Sequence, residues 1–259
     1  MRIRFTFLGT GTSQGVPIIG CDCAVCTSPD PRDQRLRSSL LVESDTTTVV
    51  IDSGPDFRQQ LLRAGVTKLD ALIFTHGHKD HVAGLDDIRA FNYLQKKPVD
   101  VYMDANTEEV IRREFSYIFE NTGYPGIPEL NIHRIAKEQS IRIGDLIFEP
   151  IEVLHYQLPV FGFRIFNFTY ITDANWIAAE EQEKIKGSEF IVLNALRREP
   201  HISHFTLEQA LQHLASWQPQ CAAYLTHISH QLGRHEDVSL ELPPHVFLAE
   251  DQLVIECEV

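Results

Sequence analysis

Positive charge is scarce in this sequence. Lys and Arg together number 23 against 36 Asp and Glu, which leaves a net charge of −13. Proteins that bind long nucleic acids rely on clustered Lys and Arg to neutralise phosphates. The composition therefore disfavours a long nucleic acid as the partner but does not exclude one.

Long apolar runs are also absent. The first residues, Met1 to Gly9, alternate between polar and apolar types as a strand does, and they contain no secretory apolar core. No stretch of the sequence reaches the roughly 20 apolar residues that a transmembrane helix requires. We therefore expect a cytoplasmic protein that does not contact membranes.

Cysteine is scarce and unevenly distributed. Three of the five cysteines lie in Cys21-Asp-Cys23-Ala-Val-Cys26, a spacing that in a reducing compartment indicates a metal site rather than disulfides. Three thiolates need a fourth ligand, because structural zinc is usually tetrahedral. The alternative is that all three are reduced surface thiols. Cys221 and Cys257 lie in apolar runs and are expected to be buried.

Linkers, repeats and low-complexity segments are missing as well, so residues 1–259 are expected to form a single domain. β-rich runs followed by helical patterns predict an α/β protein with two sheets packed face to face and helices outside. Helices are predicted over Val82 to Tyr93 and Thr107 to Phe119. Residues Tyr117 to Glu129 include two glycines and two prolines, which predicts a long loop that could serve as a lid.

The strongest chemical signal is Thr75-His76-Gly77-His78-Lys79-Asp80-His81, which follows a strand-like run. Three imidazoles and a carboxylate at a strand end have no packing function, and neutral imidazole is the commonest metal ligand. Gly77 permits a tight turn, so His76 and His78 can face one ion while Asp80 and His81 reach a neighbour. The segment therefore predicts a metal site.

This segment resembles the signature of the metallo-β-lactamase superfamily, which is His-x-His-x-Asp-His after a strand, then a His, an Asp and a last His. The later residues occur in that order as His155, Asp173 and His227. The resemblance implies an αββα sandwich of two mixed β-sheets flanked by helices. It further implies two metals bridged by Asp173, the first held by His76, His78 and His155, and the second by Asp80, His81 and His227.

Asp52 occupies a second position that the superfamily resemblance covers. It lies in Ile51-Asp52-Ser53-Gly54 and matches the carboxylate that orients a ligand imidazole in that superfamily. An Asx turn leading into the next helix is the alternative interpretation. We favour the orienting role.

A narrower resemblance, to the PhnP-like phosphoribosyl 1,2-cyclic phosphate phosphodiesterases, comes from Leu8-Gly-Thr-Gly11, the three cysteines and Thr226-His-Ile-Ser-His230. In that branch the second His of the late motif completes a structural zinc site. This residue is His230 here, and His235 is a less favoured fourth ligand. The branch and the related transfer-RNA 3′ processing nucleases also place a His near the scissile phosphate; His204 fits this pattern and His201 is its rival.

The resemblance implies a metal-dependent phosphodiesterase that hydrolyses small or cyclic phosphodiesters with a hydroxide activated by two metals. Asp80 would serve catalysis as a ligand, and His204 or His201 would act near the leaving group. Zinc, manganese and iron all accept such ligands, and a homodimer is expected. Three alternatives stay open: a transfer-RNA 3′ processing endonuclease, a thioesterase or lactamase acting on a carbonyl, and a non-catalytic metal-binding scaffold.

Overall fold

The structure is a computed structural model that describes residues 1–120, 124 and 126–258. The first half of the chain contributes β1 (Arg2–Gly9), β2 (Ser39–Glu43), β3 (Thr48–Ile51), β4 (Ala71–Ile73), β5 (Val99–Met103) and β6 (Leu130–Arg134). The second half contributes β7 (Ile141–Ile143), β8 (Leu146–His155), β9 (Leu158–Ile165), β10 (Phe168–Ile171), β11 (Trp176–Ile177), β12 (Phe190–Asn194), β13 (Ala222–Thr226), β14 (Val246–Leu248) and β15 (Val254–Glu258).

The helices lie between these strands. They are α1 (Phe57–Ala64), α2 (Lys79–Val82), α3 (Arg89–Gln95), α4 (Ala105–Glu114), α5 (Ser116–Phe119), α6 (Ala179–Ile185), α7 (Leu207–Trp217) and α8 (His235–Ser239). Short 3-10 turns occur at Pro31–Asp33 and Leu85–Ile88. No helix in the described part of the chain is long and apolar enough to span a membrane.

The strands form two mixed sheets. The first has the order β15-β1-β2-β3-β4-β5-β6, and the second has the order β11-β8-β9-β10-β12-β13-β14 with β7 paired to β8. In each sheet a parallel run, β3 to β6 or β10-β12-β13-β14, adjoins antiparallel strands. This architecture confirms the predicted sandwich of two mixed sheets.

Three apolar clusters hold the layers together. The central cluster lies between the sheets, where Phe5 of β1 stacks on Phe168 of β10 with ring centroids 3.8 Å apart. A second cluster packs α7 against the outer face of its sheet through Leu214 and Trp217, and a third packs α1 through Phe57. Burial of apolar surface on both faces of each sheet is what makes the four-layer arrangement stable.

The parallel strands place polar residues at one edge of each sheet. β3 is followed by Asp52, β4 by the segment that starts at Thr75, β10 by Asp173 and β13 by His227. Strands of parallel sheets end at the same edge, where open α/β proteins carry their chemistry. The fold therefore gathers residues that are far apart in sequence.

Two predicted helices differ from the structure. The segment predicted from Val82 to Tyr93 is broken into α2, a 3-10 turn and α3. Gly84 lies at the break, where a Cβ would come 2.3 Å from the carbonyl oxygen of Gly54, so this part of the chain is packed against the site. The helix predicted from Thr107 starts earlier, because the Asp104 side chain accepts a hydrogen bond from the Thr107 N–H at 2.9 Å.

Two further expectations need correction or stay open. Cys221 is exposed rather than buried, because it precedes β13 at the surface, whereas Cys257 is buried in β15. The predicted lid loop, 117–129, begins inside α5 and is therefore helical at its start. Residues 121–123 and 125 lie outside the described residues, and the lid role stays a prediction.

Candidate metal centre

Asp173 lies at the centre of the polar cluster. Its Oδ2 is 2.5 Å from His81 Nε2 and 3.5 Å from His76 Nε2, and its Oδ1 is 2.8 Å from His227 Nε2 and 3.2 Å from His204 Nε2. The Asp173 side chain is almost fully buried. One carboxylate thus contacts imidazoles on both sides, as a bridging ligand must.

His76, His78 and His155 form one group around a common point. Their donor nitrogens all lie within 4.8 Å of one another, and His76 Nε2 is 2.9 Å from His78 Nδ1. His155 Nδ1 lies 2.9 Å from the Ser203 carbonyl oxygen. Because a carbonyl only accepts, His155 carries its proton on Nδ1 and turns the Nε2 lone pair to the cluster.

The second predicted group surrounds His81. Its Nε2 is 3.1 Å from Asp80 Oδ2, and its Nδ1 is 2.7 Å from Asp52 Oδ2. Thr75 fixes that carboxylate, because its N–H donates to Oδ1 and its hydroxyl donates to Oδ2, both at 2.8 Å. Asp52 is fully buried, so it holds the His81 ring with Nε2 directed at the cluster, which fits the orienting role.

His227 is oriented by residues that sequence reasoning did not identify. Its Nδ1 lies 3.1 Å from Ser38 Oγ and 3.3 Å from Thr172 Oγ1. Thr12 Oγ1, in the glycine-containing loop after β1, is 3.5 Å from His227 Nε2. Isolated Ser and Thr residues carry no motif, so only the three-dimensional arrangement reveals them.

The contacts of His81 test whether the cluster suits a metal. Although two carboxylates lie within 3.1 Å of His81 Nε2, this buried nitrogen has no hydrogen bond of acceptable geometry to any described residue. A buried polar nitrogen without a partner is costly unless something else satisfies it. Nitrogen and carboxylate donors that converge on one place fit divalent metal ions.

The charges of the cluster agree with this. Burial pushes the pKa of His76 well below its usual value. Burial also disfavours the charged form of His81, yet the carboxylates of Asp80, Asp173 and Asp52 hold the pKa of His81 well above its usual value. The buried carboxylates thus favour a positive charge at this place, and a metal cation would supply one when the ligands bind in their deprotonated forms.

His204 and His201 lie at different depths. His204 is 8% exposed, and its ring is stacked on His227 with centroids 4.8 Å apart. His201 is less buried and contacts His204 from outside, with the two Nδ1 atoms 3.1 Å apart. The structure therefore brings His204 into the centre and leaves His201 one contact further out.

Two glycines shape the segment that carries the ligands. A Cβ on Gly54 would lie 2.1 Å from the Asp80 carbonyl oxygen, so only glycine lets the two backbones approach. Gly77 lies between two ligands that converge, and it has no positive φ. A Cβ there would instead lie 3.1 Å from the Val110 side chain, so Gly77 provides space.

A separate cluster lies beside this centre. His230 Nδ1 is 3.4 Å from Cys21 Sγ, 3.3 Å from Cys23 Sγ and 3.5 Å from Cys26 Sγ. Ligands of a tetrahedral zinc, 2.0–2.3 Å from the metal, lie roughly 3.5 Å from one another. Hydrogen bonds from the Cys26 backbone and from His230 lower the pKa of Cys23 to about 6, which favours the thiolate that zinc requires.

His235 does not join the cysteines. Its Nδ1 lies 3.1 Å from Arg35 Nη2, and its backbone N–H donates to Asp33 Oδ1 at 2.7 Å. The donor set of the cluster is therefore completed by His230 and not by His235. His227 and His230 are only three residues apart, so one short segment contacts both clusters.

Comparison with known proteins agrees with the fold and the donor sets. Residues 47–228 match the family described as "Beta-lactamase superfamily domain". We call the cluster around Asp173 the main centre. The matched range includes all seven of its candidate ligands, but neither the three cysteines nor His230. The cysteine cluster is thus additional to the part of the chain that the family description covers.

Individual relatives match with different extents. The "Octanoyltransferase" of Porphyromonas gingivalis (strain ATCC BAA-308 / W83) is 40% identical over 97% of this chain and 51% of its own length. The "Ribonuclease Z" of Methanococcus maripaludis is 26% identical over 54% of this chain and 41% of its own length. The chain thus spans about half, or less, of the length of the curated relatives that it matches.

A solved structure is similar over its full length. It is described as a new diphosphatase from the PhnP family, and it shares 40% identity with this chain and a TM-score of 0.93. The superposition covers 99% of this chain and 98% of that one. The similarity includes both the sandwich and the segments that carry the two clusters.

Proposed function

The chain belongs to the β-lactamase superfamily, and a PhnP-family diphosphatase is similar to it over the full length. We therefore propose that this metal-dependent hydrolase cleaves phosphodiesters. Small or cyclic phosphodiesters are the favoured substrates. A diphosphate linkage, as in the name of the relative, is the closest chemical variant. In both reactions water attacks a phosphorus atom and an oxygen leaving group departs.

The position of His204 is the observation that carries this proposal. Its Nε2 lies 3.2 Å from Asp173 Oδ1, and its ring contacts the rings of His155 and His227. His204 also lies within ligand distance of Asp173 and His227, but it is not one of the seven residues expected to hold the two metals, so we assign this imidazole a second role. An alkoxide is a poor leaving group, and a placed imidazole N–H that protonates it contributes roughly a hundredfold or more.

The chain's own residues account for the remaining requirements. When bound, two divalent ions would polarise the phosphoryl group and lower the pKa of a water molecule. His76, His78, His155, Asp80, His81, His227 and Asp173 would hold the ions. Asp52 and the Ser203 carbonyl fix the tautomers of His81 and His155, and His204 would deliver a proton to the departing oxygen.

The net charge of −13 does not contradict an anionic substrate. In a metal site the bound cations are the largest local charges, and they attract the phosphate over a short distance. A protein of this kind needs no basic groove, because its substrate is small. The acidic surface then selects against long polyanions.

Hydrolysis of bis(p-nitrophenyl) phosphate by the wild type and Asp80→Ala, with Mn²⁺ or Zn²⁺ added, tests the proposal. We expect metal-dependent turnover in the wild type and at least a hundredfold loss in the variant. Asp45→Ala, at an exposed turn, is the matched control and should behave as the wild type. A metal-loaded but inert wild type would refute phosphodiester hydrolysis and favour carbonyl substrates or a scaffold.

Transfer-RNA 3′ processing is the second candidate, because ribonuclease Z is among the relatives. The excess of acidic residues argues against it, since RNA binding depends on phosphate neutralisation. A gel shift with transfer RNA that weakens with salt would support this candidate. Octanoyl transfer is not proposed, since the chain covers 51% of the relative that carries that name.

We also propose that the cysteine cluster holds one structural zinc, while zinc, manganese or iron occupies the main centre. The thiolate-rich set favours zinc, and mixed imidazole and carboxylate donors accept all three metals. A cytoplasmic location and a homodimer complete the proposal. Elemental analysis of the purified chain and light scattering test these points.

A further inference from the structure

Exposed apolar side chains occur beside the main centre. Tyr156 is 50% exposed, Trp176 is 53% exposed and Ile202 is 67% exposed. Tyr156 directly follows His155, Trp176 comes three residues after Asp173, and Ile202 comes two residues before His204. Three segments that carry site residues thus each present a large apolar side chain to solvent.

Tyr156 occupies a position that is unfavourable for its residue type. His155 pairs with Leu158, so Tyr156 and Gln157 form the two-residue turn between β8 and β9. Tyr156 has a φ of 58°, a value that such turns normally give to glycine or asparagine. The turn therefore keeps a bulky residue in a strained backbone conformation and leaves its ring half exposed, directly after a candidate metal ligand.

Contacts through Leu154 and Asn175 bring the backbone of Tyr156 close to that of Trp176. Trp176 pairs with Leu154 at the end of β8. The Tyr156 N–H donates to Asn175 Oδ1 at 2.6 Å, and the Asn175 N–H donates to the Leu154 carbonyl at 2.8 Å. These contacts fix the backbones of both aromatic residues at the end of the strand pair that carries His155.

The polar ends of both rings are available. Among the described residues, neither the Tyr156 hydroxyl nor the Trp176 indole N–H has a hydrogen-bond partner. Half-exposed aromatic side chains with a free polar end are typical of surfaces that bind a partner with both apolar and polar groups.

We propose that Tyr156 and Trp176 form an aromatic platform that stacks on the base of a nucleotide substrate. This inference rests on the proposed phosphodiesterase function and names its substrate class: phosphodiesters or diphosphates that contain a nucleoside. The phosphate binds at the main centre, and the base lies against the rings one to three residues away along the chain.

A base is favoured over other occupants for two reasons. Stacking on aromatic rings is open to every base and needs no positive charge, which suits a chain with an excess of acidic residues. A base also combines an apolar π-face with a polar edge. The two aromatic residues offer apolar ring faces together with a hydroxyl and an indole N–H. The remote part of the substrate then contributes binding energy without a basic patch.

Two substrates with the same cyclic phosphodiester bond test the platform. 2′,3′-Cyclic AMP carries a base, whereas glycerol 1,2-cyclic phosphate carries none. We expect Tyr156→Gly and Trp176→Ala to lower kcat/KM for 2′,3′-cyclic AMP by roughly tenfold. The same variants should change kcat/KM for glycerol 1,2-cyclic phosphate by less than about twofold. Tyr156→Phe keeps the ring and should retain the preference. For a diphosphatase, ADP-ribose and dimethyl diphosphate form the equivalent pair.

Stability controls accompany the kinetics. Tyr156→Gly relieves the positive φ, so its melting temperature should equal or exceed that of the wild type. Phe247→Ala removes a 49% exposed aromatic from β14, a strand that carries none of the site residues. This variant should leave the ratio of the kcat/KM values for the two substrates unchanged.

Fluorescence gives a readout independent of turnover. Trp217 is buried and Trp176 is exposed, so Trp217→Phe leaves Trp176 as the single reporter. AMP added to the metal-loaded protein should quench this emission, and ribose 5-phosphate should not. Equal quenching by both ligands, or none by AMP, overturns the platform.

The outcomes separate the two proposals. If the wild type hydrolyses neither member of either substrate pair, the phosphodiesterase proposal fails. If it hydrolyses both members equally well, or if Tyr156→Gly reduces both rates alike, hydrolysis stands and the platform is wrong.

Discussion

At the scale of single residues, the orientation of His81 depends on Asp52. The Asp52 carboxylate is fully buried and accepts hydrogen bonds from His81 and twice from Thr75. Asp52→Asn keeps the shape but removes the negative charge that faces the imidazole. We expect a 10- to 100-fold loss in metal affinity or activity, of the order seen for residues that orient metal ligands, measured by metal titration.

Asp70→Asn is the matched control for this change. Asp70 also bonds a backbone N–H, that of Thr48 at 2.9 Å, but its charge pairs with Lys68 outside the metal centre. It should lose some stability and keep its metal affinity. Equal metal affinities in the wild type and Asp52→Asn would show that the negative charge of Asp52 is not needed to orient His81.

His235 provides a pH dependence of stability. Burial, aided by Arg35 and Arg32, lowers the pKa of His235 to about 4, whereas an unfolded chain has a His pKa near 6.5. Between these values the unfolded chain binds more protons, so the stabilisation is complete above about pH 6.5 and is lost as the pH falls towards 4. His235→Asn, whose amide oxygen can replace the imidazole acceptor, should lose less stability over this interval.

Urea midpoints of both proteins at pH 7, 5.5 and 4.5 measure this effect. The difference between the two curves isolates His235 from the other histidines. Parallel curves would mean that His235 does not couple protonation to folding.

At the scale of elements, the loop before α1 and the loop that carries Asp80 are in backbone contact. Gly54→Ala would bring a Cβ to 2.1 Å from the Asp80 carbonyl oxygen, and neither backbone can yield without moving the ligand segment. We expect a loss of metal content and a fall of about 5 °C or more in the melting temperature. Calorimetry and elemental analysis measure the two quantities.

Gly77→Ala is the graded comparison for that change. Its new Cβ would meet only the Val110 side chain, at 3.1 Å, and a side chain can adjust. The effect should be clearly smaller although Gly77 lies between two ligands in sequence. A larger effect at Gly77 than at Gly54 would contradict the assignment of the backbone contact.

At the scale of the whole molecule, the cysteine cluster joins distant parts of the chain. Cys23 lies in the loop after β1, and His230 lies after β13, 207 residues away. Cys23→Ser should remove one zinc per chain and lower the melting temperature by about 5 °C or more, because metal binding stabilises the folded chain. Activity should fall in part, since the same segment contains His227.

Cys221→Ser is the control, because Cys221 is exposed and lies outside the cluster. It should match the wild type in zinc content and melting temperature. If Cys23→Ser retains its full zinc content, the cluster does not bind zinc and the alternative of reduced thiols is correct.

Much of the candidate site was predictable because its residues follow a pattern in sequence. His76, His78, Asp80 and His81 lie within six positions, and the resemblance to the metallo-β-lactamase superfamily implied His155, Asp173 and His227. Ser38, Thr172 and Thr12 were not predictable, because single hydroxyl residues occur everywhere on strands and loops. The break in the helix predicted from Val82 was missed because Gly84 is required by a contact with Gly54, which apolar periodicity does not record.

The sequence by itself determined the local chemistry and the fold class. Strand patterns, the spacing of the histidines and the cysteine triplet are properties of neighbouring residues, and the acidic charge follows from the composition. Only the tertiary structure decided which residues meet. It placed Asp173 between four imidazoles, His204 closer to the metal centre than His201, and His230 rather than His235 on the cysteines. It also brought the backbone of Tyr156 onto Asn175, the residue before Trp176. These relations join separate strands, and long-range packing alone fixes the distances between them.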